Sequence, residues 1–144
     1  MKKVFALGLV LCSVLAHAAP PSVVGGWVGK IKFDWTKVPD ALRNKPGFAE
    51  NKVKAESQIA SFTVKLDVRK DGTYTATTVG MPGKKDEKEI GKWTQAGEKV
   101  TFIDPKSSRQ SFTISKDGKS LLGDFPSPPG LPAGMLKLIV TRSK

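Results

Sequence analysis

Few residues of this chain could do chemistry, and most of them are carboxylates and lysines. Asp86-Glu87-Lys88-Glu89 is the one carboxylate cluster, and it directly follows Lys84 and Lys85. Clustered carboxylates can hold a hard cation or share acid and base roles in glycoside hydrolysis. This cluster has no EF-hand spacing, and a glycosidase pair could be drawn from almost any two carboxylates in the chain. We read it as a loop whose opposite charges neutralise one another. The single histidine, His17, and the single cysteine, Cys12, both fall within the first 18 residues. That segment has Lys2 and Lys3, an apolar run from Val4 to Leu15 and the triplet Ala16-His17-Ala18, which reads as a secretory signal peptide cleaved after Ala18. Residues 19–144 then hold neither side chain. Ser-His-Asp and Cys-His nucleophiles, thiol redox chemistry and ordinary zinc sites all need one or the other. No catalytic residue, metal site or cofactor is expected, and the chain is read as a non-enzyme.

The apolar run is too short for a permanent membrane helix, and Cys12 follows Leu11 rather than a small residue, so an exported, periplasmic or secreted protein without a lipid anchor is expected. A domain over 19–144 is of ordinary size and is long enough to bury a core without disulfides. Charge adds a constraint. Removing Lys2 and Lys3 from 24 basic residues leaves 22 against 13 acidic ones, a net charge of +9 for that domain. Such a balance attracts anionic surfaces, an envelope polymer among them. The lysines are nevertheless scattered singly (Lys30, Lys32, Lys65, Lys92, Lys137) at positions alternating with apolar residues, as on solvated strand faces. No helix-turn-helix, zinc finger or RNP-like aromatic strand accompanies them, so no nucleic-acid partner is expected.

The elements that position these residues follow from a period of two. Phe62, Val64, Leu66 and Val68 alternate with Thr63, Lys65, Asp67 and Arg69, which predicts a half-buried strand. Similar runs predict strands over 24–33, 73–79, 87–94, 99–103, 109–115, 119–124 and 135–142. Residues 39–60 instead carry a weak helical stripe (Phe48, Ala49, Val53, Ile59, Ala60), split near Asn44-Lys45-Pro46-Gly47. Connections alternate in length. Tight turns (KDG, QAG, KDG) follow the second, fourth and sixth strands, and long links follow the first, third, fifth and seventh. In a meander, successive connections lie at opposite ends, so the tight turns gather at one pole and the long loops at the other. The expected fold is all-β: an eight-stranded antiparallel up-and-down barrel with a short helical insertion between strands one and two.

The pole of tight turns is the floor. Trp27 begins strand one there, behind Gly25 and Gly26, and Arg142 ends strand eight there in the row Leu136, Leu138, Val140, Arg142. A guanidinium laid over the indole would account for both. Gly25-x-Trp27, the eight-stranded meander, the long first connection and this terminal Arg resemble the lipocalin-like superfamily. LDVRKDGTYTATT, EIGKWTQAGEKVTF and FTISKDGKSLLG are similar to small bacterial lipocalin-like domains. The chain is short for a true lipocalin and lacks both its disulfide and the long helix after its barrel. The resemblance implies that Gly25, Trp27 and Arg142 are structural and that a ligand enters at the opposite pole.

A pocket at that mouth would draw on Phe33, Trp35, Phe48, Phe62, Thr78, Met81, Phe102, Phe125, Pro129, Leu131 and Met135, a set suited to a small apolar or amphipathic ligand. The expectation is an exported, monomeric small-ligand-binding protein. Two alternatives are a periplasmic protease inhibitor working through Ala19-Pro20-Pro21-Ser22 as an extended arm, and a structural envelope protein with a basic surface.

Overall fold

Alternating strands separated by Asp-Gly and Ala-Gly turns form β1 (Gly25–Phe33), β2 (Thr63–Val68), β3 (Thr73–Val79), β4 (Glu87–Ala96), β5 (Lys99–Ile103), β6 (Arg109–Ile114), β7 (Ser120–Asp124) and β8 (Leu136–Arg142). They pair in chain order and close on themselves as one antiparallel barrel, the β1–β8 seam running from Trp27↔Arg142 to Phe33↔Leu136. The computed structural model describes residues 18–127 and 131–144. Pro129, and the expected signal peptide apart from Ala18, lie outside the described residues.

The turns show how the local sequence folds. Gly72 and Gly118 have φ of 84° and 68°, a region that side chains with a Cβ disfavour. The Asp ahead of each accepts a backbone amide two residues on, Asp71 from Thr73 at 2.9 Å and Asp117 from Lys119 at 3.0 Å. Inside, period-two rows bury Val64, Leu66 and Val68 from β2, Tyr74 and Ala76 from β3, Val100 and Phe102 from β5, Phe112 and Ile114 from β6, and Leu136, Leu138 and Val140 from β8. Gly29 and Gly91 are inward but leave no space. A Cβ on Gly29 would lie 3.2 Å from Leu138, and one on Gly91 would meet the Ile103 carbonyl and the Tyr74 ring.

The floor is sealed from several sides. The Arg142 guanidinium lies 4.3 Å from the Trp27 ring centroid, while its Nε, Nη1 and Nη2 donate to the carbonyls of Gly118, Val24 and Ser22 at 3.0, 2.8 and 2.7 Å. Trp27 Nε1 donates to Val23 O at 2.8 Å. The expected strand start at Val24 shifts by one residue: the amides of Val23 and Val24 donate to Gln95 Oε1 and Ser22 Oγ rather than to a neighbouring strand, and Val23 is fully buried. Gly25, at φ 131°, leaves room for the guanidinium: a Cβ there would lie 2.7 Å from Arg142 Nη1.

The insertion between β1 and β2 contains a 3-10 turn at Trp35–Lys37, which the sequence pattern did not reveal, then α1 (Asp40–Arg43) and α2 (Phe48–Ala60). The helical stripe falls differently from expectation. Val53 is 66% exposed, and the half-buried face is Phe48, Lys52, Ala55 and Ile59, which packs beside β1 and Trp35. Trp35 turns the helix this way: its ring meets Phe48 edge-on at 5.8 Å, its Nε1 donates to Glu56 at 2.7 Å, and Lys52 Nζ lies 5.4 Å from its centroid.

Candidate functional site: the hollow pole of the barrel

At the pole opposite Trp27, unequal strand lengths open the wall. β4 continues through Glu87–Gly91 beyond its last partner in β5, Lys92↔Ile103. β6 and β7 pair only at Thr113↔Leu122 and Ile114↔Leu121. Two connected spaces result. The inner one, of about 250 Å3, has an apolar wall that includes Phe62, Val64, Leu66, Ala76, Phe112 and Leu138. The outer vestibule, of about 850 Å3, spreads over Asp104, Ser108–Ser111 and Asp124–Ser127. Tyr74, Glu89, Phe102, Gln110 and Phe125 line both.

The interior rings are ordered edge to face. Tyr74 meets Phe102 at 5.0 Å and Phe102 meets Phe112 at 5.6 Å, with Phe62 against Phe125 at 5.8 Å on another wall. Two glycines permit this. Gly91 seats the Tyr74 ring, and Gly123 seats Phe112, whose Cδ1 would lie 2.5 Å from an added Cβ. The buried Tyr74 sends its hydroxyl to Glu89 Oε1 at 2.9 Å. Burial foremost, then this hydrogen bond and the carboxylate charge, raises the phenol well above its ordinary value of 10.0.

A pH dependence follows. A raised folded value means that the native state favours the protonated phenol, so its contribution to stability is complete below about pH 10 and is lost as pH climbs through the folded value. The chain has one tyrosine, so near-ultraviolet titration reports this site alone. The native protein should show almost no tyrosinate at about pH 11, where a free phenol is mostly ionised, and Tyr74→Phe should remove this part of the alkaline loss of stability. A native midpoint near 10 would contradict the buried pairing.

The candidate mouth residues divide into two groups. Phe62, Thr78, Met81, Phe102 and Phe125 line the inner cavity. Trp35, Phe48, Leu131 and Met135 line a separate groove of about 300 Å3 between the helical insertion and the β7–β8 connection, and Phe33 stacks on Trp35 at 4.7 Å. Leu131 also touches the vestibule. The lysines expected to neutralise the carboxylate cluster form no ion pair with it among the described residues. Glu87 and Glu89 instead join the cavity lining, and Asp86 accepts the Gly80 amide at 3.2 Å. Tyr74, Gln110, Phe112 and Glu89 are site residues that the sequence reading missed. Parity could have found the first three, since Tyr74 shares a face with Thr78, and Gln110 and Phe112 share one with Ile114.

The class this geometry defines is a closed antiparallel eight-stranded β-barrel with one sealed and one hollow pole, consistent with a calycin-type barrel. No family model matches the chain, and no curated protein or solved structure matches it at a significant level. Among the described residues no helix is long and apolar enough to cross a membrane.

Proposed function

We propose that this chain is an exported, lipocalin-like protein that binds one small apolar or amphipathic ligand in the mouth half of its barrel, as a monomer and without catalysing a reaction. One observation carries the proposal: a cavity of about 250 Å3, walled by aromatic and aliphatic side chains and edged by Lys84, Lys85, Glu87 and Glu89, opens at the pole opposite a floor closed by Trp27, Arg142 and Val23. Concave apolar sites with a few converging polar groups are where small ligands bind, and here those groups include Thr78, Gln110 and the Tyr74–Glu89 pair, with Lys84, Lys85 and Glu87 beside them. The Gly25-x-Trp27 motif with Arg142 over the indole supports the lipocalin-like kinship.

The arm-led inhibitor alternative finds less support. Gln95 Nε2 donates to Pro21 O at 2.8 Å, Gln95 Oε1 accepts the Val23 amide at 3.1 Å, and Arg142 holds Ser22 O. The arm is therefore tied to the floor from Pro21 onward, and within Ala19–Ser22 only Ala19 and Pro20 precede that anchor. Native mass spectrometry of protein purified from the organism that encodes it should show an added small-molecule mass that disappears after solvent extraction. Protein of bare chain mass, together with failure of added apolar probes to bind, would refute the ligand-binding function.

A further inference from the structure

The charge of the ligand can be read from the polar groups at the junction of the two spaces. Glu89 stands there, lining both the inner cavity and the vestibule. Tyr74 has one hydroxyl proton and gives it to Glu89 Oε1, so the pair presents acceptors to whatever approaches: the phenol oxygen's remaining lone pair and the carboxylate oxygens. Glu87 lines the same cavity one turn of the pleat farther toward the mouth. Neither carboxylate forms an ion pair among the described residues, although the chain carries a net charge of +11. Two other acids of the vestibule are already engaged. Asp124 pairs with Lys137, and Asp104 accepts the amides of Lys106 and Ser108 at 2.8 and 2.9 Å.

The surrounding rings have the same preference. Aromatic faces carry negative potential and attract cations, and Tyr74, Phe102 and Phe125 line both spaces together with Glu89. Lys84 and Lys85 also touch the inner cavity, from the exposed loop ahead of β4. Glu87 and Glu89 are exposed as well, and the exposed Arg109 lines the vestibule; among these charged groups Glu89 alone lines both spaces and alone is tied to a buried ring, through Tyr74. At about 30 Å3 for each water-sized unit, a cavity of about 250 Å3 takes roughly eight such units.

We propose that the mouth selects an organic ammonium, a primary or quaternary amine on a short alkyl or arylalkyl tail, with the tail among the rings and the nitrogen at Glu89. This rests on the ligand-binding function proposed above and adds the sign of the ligand's charge.

Three probes of equal tail length separate the two claims: n-octylammonium, octanoate and 1-octanol, each titrated calorimetrically into the purified protein. Octylammonium should bind at least about tenfold more tightly than octanoate, since the carboxylate makes a charge-assisted hydrogen bond with one and repels the other. Glu89→Gln should lower octylammonium affinity about tenfold and leave octanol within about twofold, and Glu89→Lys should reverse the preference in favour of octanoate. Glu89 is exposed but accepts the buried Tyr74 hydroxyl, so both variants should keep the fold by circular dichroism, with a small fall in melting temperature as that hydrogen bond is lost. Octanoate binding as tightly as octylammonium, or a preference untouched by Glu89→Gln, would overturn the ammonium assignment while octanol binding kept the cavity function standing. Failure of all three probes to bind would overturn both.

Discussion

Trp27→Ala should lower the unfolding free energy by about 3–5 kcal/mol, the range for emptying a buried tryptophan site, and in a domain of this size should lower the melting temperature by roughly 10–20 °C. Trp27 is 1% exposed, so truncation removes most of the packing on which Val23 and the guanidinium lie. It also leaves Val23 O without the indole donor. Arg142→Lys is the informative companion. It keeps the positive charge but loses the planar fork that reaches the Gly118, Val24 and Ser22 carbonyls together, and should cost about 1–3 kcal/mol as those acceptors lose partners. Urea unfolding of the three proteins checks the order. A Trp27→Ala cost below about 1 kcal/mol would mean that the floor is not closed by this pair. The effect should be on stability with the mouth largely spared, because Val23, Trp27 and Arg142 line neither of the two spaces.

Gly91→Ala should destabilise by about 1–3 kcal/mol or more, as overpacking of a filled interior does, even though alanine is the smallest side chain that could be added. Its Cβ would meet the Ile103 carbonyl, which is backbone and yields poorly, and would lie 2.5 Å from Tyr74 Cε1. Relief requires the tyrosine to move, which breaks its bond to Glu89. The variant should therefore shift two readouts together: lower stability, and a phenol midpoint falling back toward 10. Gly97→Ala is the contrast. Gly97 has φ 61° and open space around its Cβ position, so only the backbone preference is lost, roughly 1–2 kcal/mol, with Tyr74 unaffected. Equal effects of the two variants on the Tyr74 titration would rule out Gly91 as the seat of the ring.

Much of the barrel was legible because its cues are local. The boundaries of β3 and β5 follow from the Thr-rich run and from Lys99–Ile103 between turn residues, and the Asp-Gly turns place hairpins at one pole. Parity along β8 aligns Arg142 with Leu136, Leu138 and Val140, and the alternation of short and long links puts Trp27 at the same pole. What escaped the reading depends on register between strands far apart in sequence. The opening of the wall comes from β4 outrunning β5 and from two paired positions between β6 and β7, and neither mismatch is visible in any one strand. The same holds for Glu89. As a letter in DEKE it looks like part of a self-neutralising loop, and only its place opposite Ala76, with Tyr74 below, turns it toward the cavity. The mouth residues were gathered by proximity to loops, and loops at one pole can still serve two separate depressions. Trp35 decides this. By stacking on Phe33 and holding Phe48 and Glu56, it fixes the insertion beside the end of β1, where a separate groove forms.

The most direct test of a barrel hollow at one pole and closed at the other is a backbone-amide NMR titration with 1-octanol. Saturable shifts should cluster at residues 76–81, 89–91, 102–110 and 125, with Trp27 and Arg142 unmoved. Shifts centred instead on Leu42, Phe48 and Leu131, or spread across the outer faces of the strands, would contradict a ligand cavity inside the barrel.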